Sequence, residues 1–329
     1  MTGTTSSRAE SQYLTEAMPF FGDPSPAPFW LVGPPGRWWN RGSEAITKTL
    51  KRSKTARRIT PERRLKIDFE ALDLHTSDGV RLSAWFVPGP THHPGDEEMM
   101  VVLHHHYGGQ KATLLPWIEL FHGLGLSSLC FDARGHADSD SAPPGRGSFV
   151  RRSEDVRAAC DELRRRGAKQ ILGFGQSQGA AALVIGVAKR EDITAVIVDA
   201  GPAPDMCTAA WGLAGNMLGA VDSRKTGSRM LLAGRIIPGT HPARYLLYLW
   251  SSLWRLRRRP LLWIHGGRDR VIDSRWSGWW FSILRPRQGR WSSLHVAEAE
   301  HVRSLQTAGS EVREVVQSFV GSLEGSSPA

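Results

Sequence analysis

The sequence predicts an α/β fold with a mostly parallel central sheet covered by helices on both faces. Three observations carry this. From about residue 66 onward, short apolar runs alternate with helical runs almost to the end of the chain. Most apolar runs are continuous rather than alternating, as expected of strands buried on both faces. The length of 329 residues suits one large α/β domain with insertions.

The elements follow in order. Residues 1–65 read as an N-terminal extension, polar to residue 18, then rich in Pro and aromatics, then basic, with a helix expected before Pro61. DFEALDLHTSDGVRLSAWFV gives two strands around a turn at Asp78-Gly79. MMVVLHH is a buried strand and LLPWIELFHGLG a helix stopped by glycine. LSSLCFDAR is a strand, and SEDVRAACDELRRRG a helix with a cap expected at Ser153 and a stop at Gly167. KQILGFG, ITAVIVDAG, PLLWIHGG and SSLHVAEA are strands. SQGAAALVIGVAKR and EVREVVQSFVGSL are helices, the last with Val312, Val315, Val316, Phe319 and Val320 on one face. The core is thus expected over 66–201 and 260–329, interrupted by an insertion over 202–259.

Composition narrows the function classes. A net charge of +10 fits an anionic membrane surface, nucleic acid or plain solubility. No zinc-finger, RNP-like or helix-turn-helix signature supports nucleic acid, so none is expected as partner. Three cysteines, Cys130, Cys160 and Cys207, form no even framework and point to a reducing compartment. With no signal-peptide pattern and no apolar run of about 18 residues, the expectation is a cytoplasmic protein, with peripheral contact to an anionic membrane as a further option. His104, His105 and His106 alternate faces on a strand and cannot all ligate one ion, so no metal is expected. The aspartates at 132, 138 and 140 lack a calcium-loop pattern.

One stretch carries chemistry: GFGQSQG, Gly173 to Gly179. It fails as a dinucleotide loop, because Gln178 stands where a third glycine is needed, and as a P-loop, because no Gly-Lys pair follows. It does contain G-x-S-x-G, with Ser177 between an apolar strand and an Ala-rich helix. A sharp turn there lifts the hydroxyl clear of the sheet, and Gly175 and Gly179 let strand and helix approach. Serine needs a base, and the base an orienting acid. Asp269 and His301 follow in that order, each just past a strand. Asp199, at the end of VIVDAG, is a rival for the acid.

At this point the chain resembles the α/β-hydrolase superfamily, and within it the serine aminopeptidase and monoacylglycerol-lipase-like branch. TSDGVRLSAWFVP is similar to that group's opening hairpin, LHHHYGG to its oxyanion segment, FDARGHADS to its D-x-R-G-H-G-x-S loop, and GFGQSQG and HGGRDRVI to its elbow and acid loop. His106 and Ala137 stand where glycine is usual. The resemblance implies a Ser177 nucleophile, a His301 base, an Asp269 acid, and an oxyanion hole from the backbone N–H groups of Tyr107 and Gln178. It implies hydrolysis of a small-molecule carboxylic ester through an acyl-enzyme, without metal or organic cofactor. Thioesters and peptides are neighbouring options, and a non-enzymatic basic module on the same scaffold is the alternative of another class. The insertion lies where lids of this superfamily occur. Its pocket candidates are Trp211, Met217, Leu246, Trp250 and Trp254, with Leu246, Leu247, Trp250, Leu253 and Trp254 expected on one face of a helix from His241. The same face could instead simply pack on the core. The sequence gives no reading of oligomeric state.

Overall fold

Eight strands form one sheet in the order β1-β2-β4-β3-β5-β6-β7-β8. They are β1 (Glu70–His75), β2 (Arg81–Val87), β3 (Met99–His104), β4 (Ser127–Phe131), β5 (Gln170–Gln176), β6 (Ile193–Asp199), β7 (Leu261–Gly266) and β8 (Trp291–Val296). Only β2 pairs antiparallel, with β1 on one side and β4 on the other; every other pairing is parallel. This is a computed structural model, and it describes residues 59–90, 99–141, 150–217, 230–231, 233, 242–287 and 290–324.

Helices cover both faces, which is why the central strands read as continuous apolar runs. On one face lie α3 (Arg152–Arg165), α4 (Gln178–Val187), α6 (Pro242–Leu256) and α7 (Ser274–Leu284). They bury Val156, Leu183, Leu249 and Phe281 against Met100, Val102 and Trp263 of the sheet. On the other face, α2 (Leu115–Gly123) and α9 (Gly309–Glu324) bury Trp117, Phe121, Val312 and Val316 against Val101, Leu103 and Ile264. Two short helices, α1 (Pro61–Leu65) and α8 (Ser304–Thr307), and α5 (Met206–Met217) complete the set described.

One expectation, the basic helix before Pro61, lies outside the described residues. A single turn begins at Pro61 itself, capped by the Thr60 hydroxyl, which accepts the Arg63 N–H. Two other expectations change. Ser153 is not the cap of α3: it sits inside the first turn, donating its hydroxyl to the Val150 carbonyl. The second change concerns α6. Its buried stripe is Tyr245, Leu249, Leu253 and Leu256, each at most 2% exposed, packed on α4 and the sheet. Each leucine buried there contributes about 2 kcal/mol. Leu247 and Trp254 are 70% and 65% exposed, and Leu246 and Trp250 are intermediate. The expected five-residue face is rotated by about one residue from the stripe that docks. So α6 packs on the sheet's cover between β6 and β7. Of the insertion expected over 202–259, residues 218–229, 232 and 234–241 lie outside the described residues.

Candidate active site

In open α/β sheets the C-terminal strand ends are where ligands bind, and here β3, β5, β6, β7 and β8 all deliver polar residues to that edge. Strand β5 ends at Gln176, and helix α4 starts at Gln178. Ser177 between them has φ 52° and ψ −115°, a backbone state costing on the order of 1–3 kcal/mol outside glycine. The neighbours hold it there. A Cβ on Gly179 would come within 2.5 Å of the His105 carbonyl oxygen, and one on Gly175 within 2.8 Å of the Ala180 Cα. The Ser177 N–H donates to the Asp199 carbonyl at 2.9 Å, tying the turn to β6.

The Ser177 Oγ lies 2.8 Å from His301 Nε2, and His301 Nδ1 lies 2.7 Å from Asp269 Oδ2. Nδ1–H therefore donates to the carboxylate, which leaves Nε2 to accept the serine proton. The three residues are each 8% exposed, reachable yet largely withdrawn from water. The other oxygen of Asp269, Oδ1, accepts the N–H groups of Val271 and Ile272, both at 2.8 Å. Burial pushes the Asp269 carboxyl upward, but the His301 imidazole, His265 and the Ile272 N–H outweigh it, so it rests below the ordinary carboxylate range.

Asp199 does not share this contact. Its carboxylate accepts from Gln176 Nε2 at 2.9 Å and from Ser304 Oγ at 2.8 Å. Burial pushes it up to about 6. The geometry thus separates the two acids: Asp269 meets the imidazole, and Asp199 ties β5 and β6 to the segment just after His301.

Tyr107 and Gln178 flank the serine from β3 and α4. Among the described residues neither backbone N–H has a hydrogen-bond partner, so both remain open to a ligand oxygen. The His106 ring hydrogen-bonds Gln176 and lies against Gly109. The histidine run is structural: His104 Nδ1 meets the His105 carbonyl at 2.8 Å and His105 Nδ1 the His106 carbonyl at 2.7 Å, while His105 Nε2 accepts the Ala133 N–H at 2.9 Å. Asp132 and Arg134 pin the following loop, to Lys111 at 2.6 Å and to Asp155 at 2.7 Å.

Of the pocket candidates, Trp211 lies on α5, 37% exposed. Helix α5 passes over the acid loop: a Cβ on Gly212 would collide with the Val271 carbonyl. Met217 ends this helix; its side chain is outside the described set. Trp250 meets Trp280 of α7 at 4.3 Å between ring centroids. Sequence reasoning missed Arg152, whose guanidinium meets Gln178 Oε1 and lies 5.7 Å over the Tyr107 ring. It also missed the tryptophans of α7, whose apolar spacing at 276, 279, 280 and 283 was visible in SRWSGWWFSIL.

No protein-family model matches the chain. An uncharacterized Mycobacterium tuberculosis protein, Rv2307c, is 32% identical over 128 residues, 38% of this chain and 43% of that relative. The match therefore spans less than half the relative's length. Among solved structures, the Pyrococcus furiosus esterase Pf2001 superposes with TM-score 0.64 at 20% identity, over 80% of this chain and 94% of that one. A lipase, lip1, described as putative, from Acinetobacter baumannii AYE gives TM-score 0.58 at 12% identity, over 83% and 97%. Est1E of Butyrivibrio proteoclasticus, solved with ferulic acid bound, gives 0.57 at 16%, over 78% and 100%. At such identities the likeness speaks to architecture, and together with the sheet order it identifies the fold: the chain has the α/β-hydrolase fold.

Proposed function

We propose that the protein is a serine hydrolase that cleaves carboxylic esters through an acyl-enzyme. The observation that carries this is the continuous hydrogen-bonded line from Ser177 Oγ through His301 to Asp269, at 2.8 and 2.7 Å. In this reading His301 Nε2 takes the serine proton as Oγ attacks the ester carbonyl. The carbonyl π electrons move to oxygen, which the Tyr107 and Gln178 N–H groups receive, each worth on the order of 3 kcal/mol. The tetrahedral adduct collapses, the C–O bond to the alcohol breaks, and imidazolium returns its proton to the leaving oxygen. Water then repeats the sequence on the acyl-serine. Asp269 holds the imidazole's orientation and stabilises its cation. Thioesters would follow the same path with a thiolate leaving group.

The non-enzymatic alternative predicts no reactive serine. A fluorophosphonate should label Ser177, and Ser177→Ala should lose both labelling and hydrolysis of p-nitrophenyl esters of graded chain length. Labelling that persists in the alanine variant would mean that the nucleophile is misassigned.

A second, compatible reading concerns location. Four tryptophans form a continuous row: Trp250 on α6, then Trp280, Trp279 and Trp276 on α7, with successive centroids 4.3, 4.8 and 5.0 Å apart. Trp276, Trp279 and Ile283 are 37%, 49% and 50% exposed, and Leu247 and Trp254 of α6 are exposed too. Neither helix contains an acidic residue; Asp273 caps α7 and pairs with Arg275, and Asp205 accepts the Trp276 indole N–H. Arg244, Arg255, Arg258 and Arg285 are exposed on or beside the two helices. Exposed indoles with an excess of arginines match an anionic bilayer interface. No helix among the described residues is long and apolar enough to cross a membrane. This reading therefore concerns peripheral attachment through this strip.

A further inference from the structure

Among the described residues three cationic side chains are buried: Lys111, Arg134 and Arg152. Burying a charge costs several kcal/mol unless an opposite charge and hydrogen bonds compensate it. Two of the three follow that rule. Lys111 Nζ lies 2.6 Å from Asp132, and Arg134 bridges Asp155 at 2.7 Å and Asp78 at 2.8 Å.

Arg152 does not. It is 9% exposed, yet among the described residues no carboxylate lies within 4.0 Å of its guanidinium. The carboxylate one turn along its own helix, Asp155, is occupied by Arg134 through both oxygens, one at 2.7 Å and the other at 3.0 Å. The stretch before it, APPGRGSF over 142–149, contains no acidic residue. The one hydrogen bond it makes in the described structure runs from Nη1 to the side-chain oxygen of Gln178. Its guanidinium carbon lies 5.7 Å over the Tyr107 ring. Burial pulls Arg152 down to about 10, which still leaves it a cation at neutral pH. A neutral donor at 152 could make the same bond to Gln178 without burying a charge.

The position is as informative as the missing counter-charge. In the ester-hydrolase reading Tyr107 and Gln178 supply the two oxyanion N–H groups. Arg152 hydrogen-bonds the Gln178 side chain and lies 5.7 Å over the Tyr107 ring, so it is held against both of these residues. A guanidinium offers a planar fork that matches carboxylate or phosphate oxygens in pairs.

We propose that Arg152 is a specificity-determining residue that binds an anionic group, a carboxylate or a phosphate, on the ester substrate. This rests on the ester-hydrolase reading and names the substrate class within it. The ligand's charge supplies the compensation that the protein withholds, and neutral esters of the same shape forgo that pairing.

The experiment compares matched esters. Monoethyl adipate and ethyl hexanoate share a six-carbon acyl chain and differ by a terminal carboxylate. 2-Acetoxyethyl phosphate and butyl acetate place the difference on the alcohol side, as a phosphate. For wild type, Arg152→Lys and Arg152→Gln, the readout is the ratio of kcat/KM for each charged ester over its neutral partner. At least one ratio should fall 10- to 100-fold in Arg152→Gln and by less in Arg152→Lys, and the pair that responds tells carboxylate from phosphate. If both ratios stay unchanged in Arg152→Gln, or wild type cleaves the neutral esters and rejects both charged ones, the inference is overturned.

If wild type cleaves none of the four, the hydrolase reading fails, and binding decides the anion site separately. Calorimetry with adipate and butyl phosphate should then show binding to Ser177→Ala that disappears in Ser177→Ala/Arg152→Gln. Absence of binding to Ser177→Ala overturns the inference.

Discussion

Acidification should unfold this protein at milder pH than its carboxylates alone would dictate, because of the imidazoles beneath the reacting serine. His104, His105, His106 and His136 are all at most 2% exposed. Burial holds His104 and His106 down to about 3, and holds His105 and His136 well below the ordinary imidazole value. The sign follows from linkage. In the unfolded chain these groups bind protons near pH 6.5, while folded they do not, so stability present above that pH is lost as pH falls. Between pH 7.5 and 5.0 a group shifted from 6.5 to about 3 forfeits about 2 kcal/mol, so His104 and His106 together forfeit about 4, and His105 and His136 act in the same direction. Buried carboxyls act oppositely. Asp155 and Asp199 are pushed up to about 6, so each binds its proton earlier when folded and returns about 1.4 kcal/mol over the same interval; burial raises Asp132 as well. For His104, His106, Asp155 and Asp199 together the balance is a loss of about 1 kcal/mol, which His105 and His136 enlarge. Urea unfolding followed by tryptophan fluorescence at pH 7.5 and 5.0, at fixed ionic strength, measures it. His104→Gln, which keeps a donor for the His105 carbonyl but cannot titrate, should reduce the slope by about 1.4 kcal/mol per pH unit between pH 5 and 6. Stability that is level or rising toward pH 5.0 would refute the reasoning.

The elbow yields a second test. Ser177→Gly relieves the positive φ that Ser177→Ala retains, so the glycine variant should unfold with a free energy higher by about 1 kcal/mol; equal values would show that the turn stores no strain. Gly179→Ala drives a Cβ against two backbone carbonyls and should cost more than about 2 kcal/mol in denaturant unfolding, or prevent folding. Replacing Asp269 by Asn should lower kcat by orders of magnitude with little change in KM, whereas Asp199→Asn should retain measurable turnover and act mainly on stability. For the apolar strip, sedimentation with anionic vesicles should fall with added salt and fall further in Trp254→Ala/Trp279→Ala. Equal binding to neutral vesicles would remove the arginines from the explanation.

The sheet was legible because its central strands are buried on both faces and therefore apolar along their whole length, and because glycine follows α2 and α3, the helices that feed β4 and β5. The serine turn was legible for a related reason. Its constraints are local, two small residues two positions either side of Ser177, and a local constraint leaves a mark in five letters. The acid was only half legible. Asp199 and Asp269 both leave strands at the same edge, and what separates them is which oxygen faces the His301 ring, a matter of loop shape. The α6 face was misjudged because Leu246, Leu247 and Trp254 are as apolar as the residues that dock. Periodicity finds an apolar stripe but not which of two overlapping stripes meets the core. Arg152 left no mark, since its meaning lies in an absent carboxylate, and Arg151 and Arg152 are indistinguishable in sequence.

The same neutral imidazoles that make the fold acid-sensitive bear on how the site could work. At neutral pH they are uncharged, so the wall under Ser177 adds no fixed positive charge of its own. The formal charges near the elbow then include Asp269 against His301, Asp199 held by Gln176 and Ser304, Arg152 bonded to the Gln178 side chain, and Arg303 near His106. In a poorly solvated site few charges act at longer range than they would in water. A cationic wall would raise the cost of forming imidazolium at 301 and would attract any anion without discrimination. A neutral wall leaves the cation to form beside Asp269, and in the proposed reading leaves Arg152 to draw an anionic ligand group. If protonating variants of the wall, such as His106→Lys in a protein that still folds, leave both turnover and anion preference untouched, then this division of charge plays no part in the chemistry.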